Sequence, residues 1–189
     1  MIFTKTEIAG AWLIDVEPLI DERGFFARSW CQNEFAAHGA ASNFVQANLA
    51  ATRRRGTLRG LHFQAAPCEE AKLVRCTRGA AYVVAADLRH ESATYLRWIG
   101  VELSAENHRA LYVPPGCAQG YQTLADETEM FYQMSQFYAP GMARGVRYDD
   151  PALDVAWPLE IAVISEADRN WPAYQPQLNP ALAAGPPSS

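Results

Sequence analysis

KLVRCTRGAAYVVAADLR, residues 72–89, decides the fold class. It reads as two extended runs broken at Arg78-Gly79, with β-branched and aromatic residues on both sides of the break. The pattern continues downstream. In YLRWIGVEL (95–103), Leu96, Trp98 and Gly100 alternate with Arg97, Ile99 and Val101. RALYVPPGCAQGYQTLAD (109–126) is a strand, a Pro-Gly turn and a second strand. EMFYQMSQFYAP (129–140) sets Phe131, Gln133, Ser135 and Phe137 on one face, and Tyr132, Met134, Gln136 and Tyr138 on the other. Helix signals are few. CQNEFAAHGA (31–40) predicts a short helix closed by Gly39, and SEADRNW (165–171) predicts another that starts at a capping serine. Many short strands separated by Gly/Pro turns predict an all-β sandwich or small barrel.

The 189 residues fit one domain with a substantial core, expected over 1–175. The uncharged stretch NPALAAGPPSS ends the chain, and 176–189 is expected to be a disordered tail. An apolar fraction of 49% with 20% charged residues is that of an ordinary globular protein. A net charge of -5 argues against a broad nucleic-acid surface, and the run Arg53, Arg54, Arg55 reads as a solvated turn. No window reaches the roughly 18 consecutive apolar residues of a membrane helix. The first 20 residues lack the pattern of a signal peptide. Cys31, Cys68, Cys76 and Cys117 have neither CxxC nor zinc-type spacing, so free thiols in a reducing cytoplasm are expected.

Chemistry centres on TLRGLHFQ (57–64). His62 lies in an apolar run, three residues from Arg59. Period-2 alternation puts the two on opposite faces unless a bulge intervenes, and the glycines of RRRGTLRG (53–60) suggest turns or bulges at a barrel mouth. His38, His62, His90 and His108 are scattered, with no H-x-H or H-x-x-x-H, so no metal site is expected. Neither nucleotide loop, GxxxxGK[ST] or GxGxxG, is present. Arg23, Arg59 and Lys72 are the cations suited to clamping a diphosphate from strands. As a base near neutral pH, His62 needs an orienting carboxylate. Asp87, Asp149, Asp150, Asp154 and Asp168 are the candidates, and spacing does not choose among them. The opposing acid could be any of eight tyrosines.

Nine segments occur in an order that carries a resemblance: DERGFF (21–26), FVQANLA (44–50), LRGLHFQ (58–64), KLVRCTRG (72–79), ADLR (86–89), LSAEN (103–107), YVPPGCAQGY (112–121), FYQMSQFYAP (131–140) and DDPALDVAWP (149–158). Over residues 2 to 170 the chain resembles the dTDP-4-dehydrorhamnose 3,5-epimerases. The resemblance implies a cupin-type double-stranded β-helix, or jelly roll, with a few short helices. It implies no metal or other cofactor, and a homodimer that exchanges N-terminal strands. The implied substrate is a dTDP-linked 4-keto-6-deoxyhexose. His62 would be the base oriented by Asp168, Tyr132 the acid, and Lys72 the cation near the ketone oxygen. Arg59 would hold the diphosphate with Arg23, the latter reaching across the dimer. Gln46 and Asn48 would contact nucleotide or phosphates, and Phe26 and Tyr138 would pack on base or sugar. Four positions depart from the family's usual residues: Gln119 replaces a histidine, Val83 an aspartate, Gln133 a lysine and Arg28 an acidic residue. The expectation is an altered polar lining of the pocket, with Gln119 in contact with substrate. Inversion of one centre only, another nucleotide's 4-keto sugar, or a cupin that binds sugar nucleotides without catalysis are the alternatives.

Overall fold

The strand runs are borne out in a computed structural model that describes residues 1–175; the expected tail, 176–189, lies outside the described residues. Among the described residues fourteen strands follow one another in chain order: β1 Ile2–Lys5, β2 Trp12–Asp15, β3 Leu19–Asp21, β4 Gly24–Phe26, β5 Gln46–Thr52, β6 Thr57–Gln64, β7 Lys72–Arg78, β8 Ala80–Asp87, β9 Trp98–Ser104, β10 Ala110–Val113, β11 Cys117–Thr123, β12 Thr128–Met134, β13 Ala143–Gly145 and β14 Val163–Ile164. Helix α1 spans Gln32–Ala37 and α2 spans Glu166–Arg169. Both sit where the sequence predicts them, Gly39 closing the first at φ +67° and the Ser165 hydroxyl capping the second by accepting from the Asp168 N–H.

One sheet has the order β1-β2-β10-β7-β12-β5 and the other β13-β6-β11-β8-β9, with β14 added parallel to β6. β3 and β4 form a separate hairpin. The stretch 72–89 therefore holds one strand from each sheet, and Gly79, at φ +72°, is the corner between them. Inward residues of both sheets, among them Val74, Val83, Leu103, Leu111, Tyr121 and Met130, meet in one buried core. A second cluster lies outside the first sheet, where Phe35 of α1 packs on Ile14, Leu73 and Tyr112. Behind the second sheet, Leu61, Val84, Ala86 and Ala118 are covered by Val146, Leu153 and neighbouring loop aromatics.

The alternation read in 129–140 holds only as far as Met134, where β12 ends; Phe137 and Tyr138 lie beyond the strand and are exposed. Gln64 draws the chain away there, its amide oxygen accepting from the Ala139 N–H and its nitrogen donating to the Phe137 carbonyl. In 95–103 the strand likewise begins only at Trp98, since Leu96 has a left-handed backbone.

The feature that builds the site is an irregularity in β6. Against β11, His62 pairs with Gln119 but Arg59 pairs with Tyr121, so β6 carries one residue more than its neighbour. Gly60 absorbs that residue at φ +118°, and a Cβ there would lie 2.5 Å from Gly120 Cα and 3.0 Å from the Gln119 carbonyl oxygen. Only glycine satisfies both the backbone angle and the contact. Replacing Gly60 by alanine is expected to destabilise the protein by about 2–4 kcal/mol, read as a lowered urea midpoint; an unchanged midpoint contradicts this account of β6.

Candidate active site

Because of the extra residue in β6, Arg59 and His62 line one cavity of about 380 Å³ instead of facing opposite ways. Lys72, Gln119, Tyr121, Tyr132 and Asp168 complete its polar wall. A second cavity, about 580 Å³, shares His62, Lys72 and Tyr132 and adds Gln46, Asn48 and Tyr138. His62 belongs to one sheet, whereas Tyr132 on β12 and Lys72 on β7 belong to the other. The imidazole and the phenol thus enter the space between the sheets from opposite walls.

Among the five candidate carboxylates, geometry selects Asp168. Its Oδ1 lies 2.5 Å from His62 Nε2, and its Oδ2 accepts from the Gly60 N–H at 3.4 Å. Burial by itself pushes this carboxyl up, but the bonds from His62, Gly60 and Ser165 outweigh it and hold the group below the usual aspartate value. An Nε2–H that donates to a carboxylate leaves the Nδ1 lone pair for chemistry. Asp87 is spent elsewhere: wholly buried, it takes hydrogen bonds from Arg89, Ser92 and Thr94. Asp150 accepts from the Ala152 and Tyr174 N–H groups, and Asp149 pairs with Arg147. Asp154 lines neither cavity.

Burial raises the Tyr132 phenol above the ordinary tyrosine value, against the pull of Arg59 and of a hydrogen bond with Asn48. It therefore stays protonated at neutral pH and can donate a proton. Lys72 Nζ donates to the His62 carbonyl at 3.2 Å and pairs with Glu70 Oε1 at 3.1 Å. Burial draws its pKa below the ordinary lysine value, and Glu70 opposes that shift. The Gln46 amide bridges Asn48 and the Tyr138 N–H. Arg59 is exposed at the mouth and donates to the Ala51 carbonyl.

Arg23 and Phe26 line neither cavity of their own chain. Both stand on the exposed β3–β4 hairpin, where Arg23 is paired with Asp21. The four departures from the family's usual residues fare unequally. Val83 is in the inter-sheet core with no exposure, Gln133 lies on the face of β12 opposite Tyr132, and Arg28 pairs with Glu34 at the surface. Of the four, only Gln119 reaches either cavity, so the expected change in polar lining reduces to that one amide, whose buried Nε2 has no acceptor among the described residues.

Trp171, Arg144 and Glu70 also line the larger cavity, and the sequence reading omits them. Trp171 stands edge-on to the His62 ring at a centroid distance of 6.4 Å. Arg144 arrives on β13, which pairs with β6. Glu70 had a legible signal: it stands two residues before Lys72, close enough in sequence for its carboxylate to meet the ammonium. Among the described residues no group of three His, Cys, Asp or Glu side chains could hold a metal ion, and no helix is long and apolar enough to cross a membrane.

The family profile described as dTDP-4-dehydrorhamnose 3,5-epimerase matches residues 5–176. The chain belongs to that family. A protein of that name from Methanothermobacter thermautotrophicus is 43% identical over 172 residues, covering 89% of this chain and 92% of the relative. The crystal structure of dTDP-4-dehydrorhamnose 3,5-epimerase from Elizabethkingia anophelis superposes with a TM-score of 0.89 at 36% identity, covering 92% of this chain and 96% of that one. ChmJ, a 3'-monoepimerase from Streptomyces bikiniensis solved in complex with dTDP-quinovose, superposes with a TM-score of 0.81 at 34% identity, covering 89% and 85%. With these family members the two-sheet fold is the expected cupin-type jelly roll.

Proposed function

We propose that the chain epimerises dTDP-4-dehydro-6-deoxy-D-glucose at C3 and C5, giving dTDP-4-dehydro-L-rhamnose. The observation that carries the reading is the opposition of an aspartate-held imidazole and a protonated phenol across one cavity. C3 and C5 both flank the C4 ketone, so loss of either proton leaves an enolate with its charge on the C4 oxygen. His62 Nδ1 takes the proton from one face, and the Asp168 carboxylate stabilises the imidazolium that forms. The Lys72 ammonium stands by the oxygen that becomes negative. Tyr132 returns a proton to the opposite face, which inverts the centre. Arg59 at the mouth suits the diphosphate, and Gln46, Asn48 and Tyr138 suit the nucleotide end.

A second copy of the chain belongs to the same proposal. The β3–β4 hairpin exposes Leu19, Ile20, Phe25 and Phe26, a patch that a partner subunit would cover while Arg23 reached that partner's diphosphate. Cytoplasmic residence is likewise proposed: all four cysteines are unpaired, as a reducing compartment keeps them.

Gln119 favours one alternative. A neutral amide opposite His62, together with likeness to a 3'-monoepimerase, suits inversion at a single carbon.

Two measurements test these readings. Proton NMR of the substrate in D2O should show exchange at both C3 and C5, slowed by about 10²- to 10⁴-fold in His62→Ala. Exchange at one carbon alone selects the monoepimerase, and an unslowed variant removes His62 as the base. For the dimer, His62→Ala and Arg23→Ala are each expected to be impaired, yet unfolded together and refolded they should regain about a quarter of parent activity, because each mixed dimer holds one intact site. A mixture no better than its parts contradicts the reach of Arg23 across the interface.

A further inference from the structure

Glu70 and Lys72 form an ion pair inside the larger cavity, with side chains 3% and 9% exposed. A lysine ammonium carries three N–H donors. One is directed at Glu70 Oε1 and one at the His62 carbonyl, which leaves a single donor for the space between the sheets. Glu70's second oxygen is buried without a hydrogen-bond partner among the described residues, where Lys72 is the group that the carboxylate binds. A pair that served only to join two segments would use both oxygens, since an unmade bond on a buried acceptor costs about 1–3 kcal/mol. The spacing is also revealing: in EEAKL the two groups are two residues apart, Glu70 just before β7 and Lys72 at its start, so the pair bridges no distant parts of the fold.

We propose that Glu70 is a positioning residue for the reaction, holding Lys72 charged and aiming its one uncommitted N–H at the oxygen on which the enolate charge gathers. The proposal rests on the epimerase reading above. The other charged and titratable groups that line the cavities with Lys72 are His62 and Arg59 from β6, Tyr121 from β11, Tyr132 from β12, Tyr138 beyond β12, Arg144 from β13 and Asp168 from α2. Among the described residues, Glu70 and the His62 carbonyl are the ammonium's ion-pair and hydrogen-bond partners. Burial draws Lys72 toward the neutral amine and Glu70 opposes it, so removing the carboxylate lowers the lysine's pKa further. Tyr132 shifts the other way, upward, through its own burial.

The test compares Glu70→Gln and Glu70→Asp with the parent, by deuterium uptake from D2O into dTDP-4-dehydro-6-deoxy-D-glucose as a function of pH. Glu70→Gln keeps shape and an acceptor oxygen but loses the charge. Its kcat should fall by about ten- to a hundredfold with KM changed far less, and the alkaline limb of its profile should move down by about one pH unit. Glu70→Asp should recover the limb in part. A Glu70→Gln profile whose alkaline limb coincides with the parent's overturns the proposal. A parent that takes up no deuterium defeats the epimerase reading instead. The pairing itself is then read by ¹⁵N NMR of Lys72 Nζ in the parent, which also serves if the variants fail to fold. A protonated Nζ with slowly exchanging hydrogens at about pH 9 supports the proposal, and a freely exchanging or neutral amine there overturns it.

Discussion

The site depends on the hydrogen bond between His62 and Asp168, and that bond depends on a single extra residue in a strand. A regular β6 would turn Arg59 and His62 to opposite faces. With Gly60 taking up the surplus, both reach the cavity, and the Gly60 N–H is itself turned to the Asp168 carboxylate. The helix that presents Asp168 is four residues long and gains its definition from Ser165 at its N-cap. β14, immediately before it, is anchored parallel to β6, so His62 and Asp168 are carried by adjoining backbone.

The rest of the fold acts as a frame that keeps two walls apart. In the proposed reaction each sheet contributes one half of the proton chemistry: the imidazole from one, the phenol and ammonium from the other. The interior between them is apolar at one end, where Val83, Leu103 and Met130 fill it, and polar at the other. Burial at the polar end keeps Tyr132 protonated and makes the charge on Lys72 depend on Glu70. In the proposed reaction a planar enolate held between such walls meets His62 as base on one face and Tyr132 as acid on the other.

Much of this was legible in the residues. Alternation and turn chemistry located β7 to β12, and capping residues located both helices. The glycines of RRRGTLRG hinted at the irregularity that sets Arg59 beside His62. Alternation could not tell that β7 and β8 belong to different sheets, because a corner at Gly79 and a hairpin turn have the same local pattern. It also ran past the end of β12, since the bonds from Gln64 that divert the chain come from 73 and 75 residues away. The choice of Asp168 over Asp87 lay beyond spacing alone, because it rests on which carboxylate is already consumed by Arg89, Ser92 and Thr94. Resemblance supplied roles for Val83 and Gln133 that their places in the core and on the outer face of β12 do not sustain.

The claim at the centre is that base and acid stand on opposite sides of the substrate, and Tyr132→Phe examines it most directly. In D2O this variant should still exchange the protons beside the ketone, because His62 can remove a proton and return a deuteron to the same face. Net inversion of configuration, followed by NMR in the same sample, should fall by about 10²-fold or more. Exchange without inversion is the predicted result. Loss of exchange and inversion in equal measure, or inversion at the parent's rate, would contradict it.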